Sequence, residues 1–211
     1  MNDQVEKQAV LVVDDTPTNI QILMETLKND YRIVAAVNGE RALQLAISDP
    51  PPDIILLDIM MPEMDGYEVC ARLKADTKTR DIPIIFITAM SEAGDETKGL
   101  ELGAVDYITK PFQEAEVLAR VDTHLTIHRL RREVQTQGDQ LEHELETVSK
   151  LQLRLLPKTL PEIAGLDLAA YYATSRYAGG DYYDFRKLPD GRIGILVADA
   201  EGHSSPATVL M

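Results

Sequence analysis

The stretch IILLDIMMPEMDGYEVC, Ile54–Cys70, is where the fold is decided. Its first four residues are apolar with no polar alternation, so a strand built from them has both faces covered. Asp58 closes that strand, and GYEVCARLK beyond the loop has helical periodicity with Cys70 on its apolar face. Working outward, the same unit recurs. Upstream lie AVLVVDD, the helical PTNIQILMETLKN, YRIVAAV and the helical GERALQLAI; downstream lie IPIIFITA, a helix near 92–102, DYIT and the helical QEAEVLARVDTHL. Five apolar strands alternating with five helices predict an α/β domain with a doubly wound parallel sheet. In such sheets the chemistry gathers beyond the carboxyl ends of the strands, near the switch in strand order.

Those ends are chemically loaded. Strand one ends in Asp14-Asp15, strand three in Asp58 and strand four in Thr88, and strand five is followed by Lys110-Pro111. Any one of these acids alone reads as a helix cap or a solvated loop group, but together they fall on one rim. Three crowded carboxylates repel one another unless a divalent cation sits between them. Oxygen-only ligands suit Mg²⁺, which keeps several waters and favours phosphate. With the charge neutralised, one carboxylate can attack phosphorus and become an acyl phosphate. Lys110 and the Thr88 hydroxyl then supply charge and a hydrogen bond to the phosphoryl oxygens.

The motifs LVVDDTPTN, IILLDIMMPEMDGYEVC, IIFITA and GAVDYITKPF resemble the receiver domain of two-component response regulators over residues 7–125. The resemblance implies a receiver domain at 1–125 with a flavodoxin-like five-stranded sheet. It implies that Asp58 accepts a phosphoryl group from a histidine kinase or a phosphotransfer protein. It also implies that Asp15, Asp58 and the Met60 carbonyl coordinate Mg²⁺, with Asp14 assisting through water. A cis Lys110–Pro111 bond would position the lysine, and Thr88 and Tyr107 would form the family's switch. Met60 and Met90 would flank the site and hinder water from reaching the acyl phosphate.

From 126 to 156 the chain is rich in charge, contains no proline and reads as one helix. Candidate seam positions are Ile127, Leu130, Val134, Gln137, Leu141, Leu145, Val148, Gln152 and Leu155, spaced 3-4-3-4-4-3-4-3. That is a heptad pattern with a stutter near Gly138, which predicts a parallel coiled-coil homodimer; a lone amphipathic helix is the alternative. HELE at His143–Glu146 is similar to the phospho-accepting box of histidine kinases, yet Thr147-Val148 follow where that box continues with Arg and Thr-Pro.

RYAGGDYYDF, Arg176–Phe185, could belong to a diguanylate cyclase, but neither the RYGGDEF form nor a segment like DLTGLPNR before it is present. LLPKTLPEIAGLDLAAYY, GGDYYDF and GILVADAEGHSSPATVLM instead resemble the opening of the metal-dependent, protein phosphatase 2C-like serine/threonine phosphatases that serve as response-regulator outputs. This resemblance implies that Asp181, Asp199 and the Gly202 carbonyl hold Mn²⁺ or Mg²⁺, and that two metals activate water against a phosphate ester. Ser204 departs from the family's usual glycine. Residues 157–211 are accordingly expected to be a truncated phosphatase domain, inactive by itself. Its substrate in the parent protein would be a phosphoprotein, such as a regulatory antagonist. The rival expectation is a receiver–helix adaptor that acts by binding alone.

Charge and composition agree with this class. The net charge is −14; residues 1–124 carry 11 Lys+Arg against 23 Asp+Glu, and residues 125–211 carry 10 against 12. A surface this acidic repels nucleic-acid backbones. Apolar runs are broken by acids well short of a membrane span and the N-terminus lacks signal-peptide regions, so a cytoplasmic protein is expected. The single cysteine excludes an internal disulfide.

Overall fold

The structure, a computed structural model, describes residues 7–89, 98–173 and 181–199. They fall into two compact units, divided between Arg132 and Glu133. In the first, the elements run β1 (Ala9–Val13), α1 (Pro17–Leu27), β2 (Arg32–Ala36), α2 (Gly39–Ala46), β3 (Ile54–Asp58), α3 (Gly66–Ala75), β4 (Ile84–Ala89) and β5 (Asp106–Lys110). A long helix, α4 (Glu114–Leu155), begins in this unit and runs on into the second. The helix expected near 92–102 lies largely outside the described residues. No described helix is long and apolar enough to cross a membrane.

The five strands form one parallel sheet in the order β2-β1-β3-β4-β5. The order reverses at β1, which has β2 on one side and β3 on the other, so the crevice between the ends of β1 and β3 is the switch point. Successive strand residues point to opposite faces, and both faces are apolar and covered. On one face Leu11, Val13, Ile55, Leu57, Ile84 and Phe86 pack with Ala42 and Ala46 of α2 and Val69, Cys70 and Leu73 of α3. On the other, Val10, Val12, Ile54, Leu56, Ile85, Ile87 and Ile108 pack with Ile20, Leu23 and Leu27 of α1 and Val117, Val121 and Leu125 of α4.

Local sequence sets the helix starts. Pro17 occupies the first turn of α1, where its missing N–H costs nothing. The Asn38 side chain accepts from the Arg41 N–H at α2, and the Asp65 side chain from the Glu68 N–H at α3, both at 2.8 Å. Leu125 is the last fully buried position of α4, and residues 131–144 are exposed.

In the second unit β6 (Asp181–Lys187) and β7 (Ile193–Asp199) form an antiparallel hairpin. Gly191 turns it at φ +86°, a conformation glycine adopts without strain.

Candidate functional site

The fold brings the predicted acids together at the switch point. β1 delivers Asp14 and Asp15, β3 delivers Asp58, and one oxygen from each lies within 4.8 Å of the others. Asp14 is wholly buried and Asp58 is 3 % exposed, whereas Asp15 is exposed. The next element, β5, ends in Lys110, whose Nζ lies 2.8 Å from Asp14 Oδ2 and 3.0 Å from Asp58 Oδ2. The Lys110–Pro111 peptide is cis.

Asp14 is fully engaged. Besides Lys110, it accepts from the Thr16 N–H at 2.8 Å and from Asn19 Nδ2 at 3.0 Å on both oxygens. Asp58 is different: its Oδ1 is buried with no hydrogen-bond partner. An unpartnered buried carboxylate oxygen costs on the order of 1–3 kcal/mol and is rare outside functional sites. Burial pushes the Asp58 carboxyl above the ordinary aspartate value; the Lys110 hydrogen bond opposes this and the Asp14 charge adds to it. Burial alone would pull Lys110 down, but its bonds to Asp14 and Asp58 outweigh that and hold it above the usual lysine value. One ammonium therefore serves two buried carboxylates, with a third beside them. This all-oxygen donor set, with its excess negative charge and one oxygen unclaimed by the protein, fits a hard divalent cation.

Gly66 fixes the distance between α3 and the end of β3. A Cβ there would lie 2.3 Å from the Asp58 carbonyl oxygen and 2.8 Å from the Ile59 Cα, and the Gly66 N–H donates to the Ile59 carbonyl at 2.9 Å. Thr16, Asn19 and Gly66 were not singled out from sequence. The available signal was Pro17 at the start of α1, which places Thr16 and Asn19 in a turn facing the Asp14 carboxylate.

Thr88 sits near the end of β4, one residue past the partner of Asp58, and its hydroxyl donates to the Ala89 carbonyl at a long 3.3 Å. Tyr107 pairs with Phe86 and is half-buried, with Arg120 Cζ 6.0 Å from its ring centre. A cavity of about 10 Å³, room for one water, lies between Thr88 and Tyr107 beside Ile59, Phe86 and Leu100. The Met60 side chain is 72 % exposed; Met90 lies outside the described residues.

In the hairpin, Asp181 and Asp199 are direct cross-strand partners, both exposed. Among the described residues no third potential ligand joins them, and Gly202 and Ser204 lie outside those residues.

Residues 10–122 match the family described as the response regulator receiver domain. A Vibrio cholerae protein named "Probable cyclic di-GMP phosphodiesterase" is 43% identical over 143 residues, 68% of this chain and 32% of its own length. Response regulator PleD of Caulobacter vibrioides is 48% identical over 113 residues, 53% of this chain and 25% of its own. The chain thus spans a third or less of these relatives. Wherever it starts, a match of 143 residues reaches at least residue 143, inside α4. Among solved structures, the signal receiver domain of a signal transduction histidine kinase from Syntrophus aciditrophicus aligns with a TM-score of 0.52 at 36% identity, covering 56% of this chain and 90% of that one. The BeF3-activated receiver domain of DrrB, from Thermotoga maritima, aligns with a TM-score of 0.52 at 32% identity, covering 57% of this chain and 98% of that one.

Proposed function

Because the chain belongs to the response regulator receiver family, we propose that Asp58 is its phospho-acceptor and that Asp14, Asp15, Asp58 and the Met60 carbonyl hold Mg²⁺ beside it. Receiver domains take phosphoryl groups from histidine kinases and generally bind Mg²⁺. The observation that supports this reading most is the buried, unpartnered Asp58 Oδ1 next to Lys110. When bound, the cation supplies positive charge against the phosphoryl oxygens. An Asp58 oxygen forms the new bond to phosphorus as the P–N bond of the donor phosphohistidine breaks; the imidazole leaves with the bonding pair and takes a proton from solvent. Lys110, already charged and already on Asp58, is placed to neutralise the transferred group. The Thr88 hydroxyl, held only by a long bond to its neighbour, turns to a phosphoryl oxygen, and Tyr107 follows towards the small cavity between them. Labelling with radioactive acetyl phosphate and Mg²⁺ tests this: Asp58→Asn abolishes uptake, and uptake equal to that of the unaltered chain sinks the reading.

The signal then passes along α4. Ile127, Leu130, Val134 and Leu141 are all exposed, at the spacing of a helical seam, which supports a parallel homodimer. The output we propose is a protein serine/threonine phosphatase, with Asp181, Asp199 and the Gly202 carbonyl as ligands for Mn²⁺ or Mg²⁺ and a phosphoprotein as substrate. The cross-strand placement of Asp181 and Asp199 supports it. A second reading draws on the Vibrio cholerae relative, whose similarity continues into α4: an output acting on cyclic di-GMP. Offering the protein a phosphoserine peptide with Mn²⁺ and, separately, cyclic di-GMP distinguishes the two, and inertness to both favours an adaptor that acts by binding.

A further inference from the structure

At the opposite rim of the sheet, where the strands begin, lies a cavity of about 520 Å³. Arg32 opens β2, Asp53 immediately precedes β3, Ile82 comes just before β4, and His128 and Arg132 face the space from α4. Lys7, Arg32, Lys78 and Arg132 bring four basic side chains to this wall, in a chain with 35 Asp and Glu against 21 Lys and Arg. Against them the lining sets two acids, Asp53 and Asp81, so basic side chains outnumber acidic ones four to two. The Asp53 carboxylate accepts the Ala9 N–H at 2.7 Å, and the Asp81 side chain is 85 % exposed with Arg80 3.9 Å away. Lys7 donates to the carbonyls of Lys28 at 3.2 Å and Asn29 at 2.6 Å, neutral groups that leave its charge in place. Among the described residues the side chains of Arg32 and Lys78 have neither an ion pair nor a hydrogen bond. Pro50, Pro51 and Pro52 form one wall, with fixed φ angles and no N–H to satisfy, so it loses little freedom when a ligand binds.

We propose that this cavity binds a small anion bearing two or more phosphates, at a site separate from the Asp58 carboxylate cluster. The volume lies within the roughly 300–1,000 Å³ of small-molecule sites. Guanidinium forks and ammonium groups are the side chains suited to phosphate oxygens, and the proline wall with Ile82 offers apolar surface to a base or sugar. Because His128 and Arg132 lie on α4, such a ligand would tie that helix to the amino-terminal ends of the strands.

The test is equilibrium dialysis of the full chain in EDTA, so that the acidic rim holds no cation, against inorganic pyrophosphate and, separately, ATP. Saturable binding of either supports the proposal. Arg32→Ala and Lys78→Ala alter exposed side chains and leave the core intact; each weakens binding by about tenfold. Asp58→Asn leaves it unchanged, which separates this site from phosphorylation. Bound ligand slows amide exchange at 126–132. No binding of either anion at millimolar concentration, or binding indifferent to both the Arg32 and Lys78 substitutions, overturns the proposal.

Discussion

Two nearly identical strings end in an acid and meet different fates. ILLD, Ile55–Asp58 in β3, is buried throughout, whereas in ILVAD, Ile195–Asp199 in β7, Ile195, Leu196 and Val197 are 56 %, 53 % and 77 % exposed. Both form strands, because β-branched and aliphatic runs fit an extended backbone wherever a partner strand is available. What differs is cover. β3 has strands on both sides and helices on both faces, while among the described residues β7 has one neighbour, β6. The acids differ in the same way: Asp58 meets Asp14, Asp15 and Lys110, but Asp199 meets Asp181 alone among the described residues. Strand formation is a local property; burial, and the chemistry burial permits, belongs to the neighbours.

The sharpest way to break this comparison is to shorten one apolar side chain in each string. Leu57→Ala should lower the stability of the first unit by about 2–5 kcal/mol through lost burial and a cavity. Val197→Ala should change its unit by no more than about 0.5 kcal/mol. Urea midpoints followed by circular dichroism give both numbers, and equal losses would end the contrast. Next in size, Gly66→Ala places a methyl against the Asp58 carbonyl and should cost about 1–3 kcal/mol. Because the strain falls on the end of β3, the rate of acetyl phosphate labelling should drop along with the melting temperature.

A third probe compares a partnered acid with an unpartnered one. Asp106, at the start of β5, accepts from Arg120 Nη1 at 2.8 Å on both oxygens and from the Tyr107 N–H at 2.8 Å, and lies 3.0 Å from His124 Nε2. Burial works to raise its carboxyl, but the Arg120 and His124 hydrogen bonds win and hold it below the usual aspartate value. A depressed carboxylate contributes stability above its unfolded value, about 3.9, and loses that contribution as pH falls through the lower folded value. Arg120→Ala should therefore cost about 1 kcal/mol at pH 7, with the deficit closing as the solution is acidified through the aspartate range. Smallest of all, Asp199→Asn removes a like-charge pair from the hairpin and should be neutral or stabilising by less than about 0.5 kcal/mol in EDTA. A clear loss there would mean that Asp199 has a structural partner.

The sheet was legible because its central strands, β1, β3 and β4, are apolar on both faces, a pattern few other arrangements satisfy. The acidic rim was legible because strand ends are read one after another, so Asp14, Asp58 and Lys110 declare themselves by position. Asn19 was not, since an amide in a helix's first turn looks like ordinary capping until the carboxylate behind it is seen. Nor was Gly66, whose need is steric and depends on how closely α3 approaches β3. The basic cavity was hidden twice over: Lys7, Arg32, Lys78 and Arg132 are far apart along the chain, and the surrounding acidity masks them in any count. The pairing of Asp181 with Asp199 required the hairpin register, which neither segment specifies by itself.

Cys70 lies wholly within the core beneath α3, and burial also pushes its thiol above the ordinary cysteine value. Both the steric barrier and the scarcity of thiolate slow its reaction with alkylating agents in the closed state. With no other sulfhydryl in the sequence to compete, the native chain contains its own clock: the rate at which a maleimide or disulfide reagent reaches this one sulfur counts the openings of α3 from the sheet. Conditions that load the acidic rim should slow that clock, and no foreign label need be introduced to hear it.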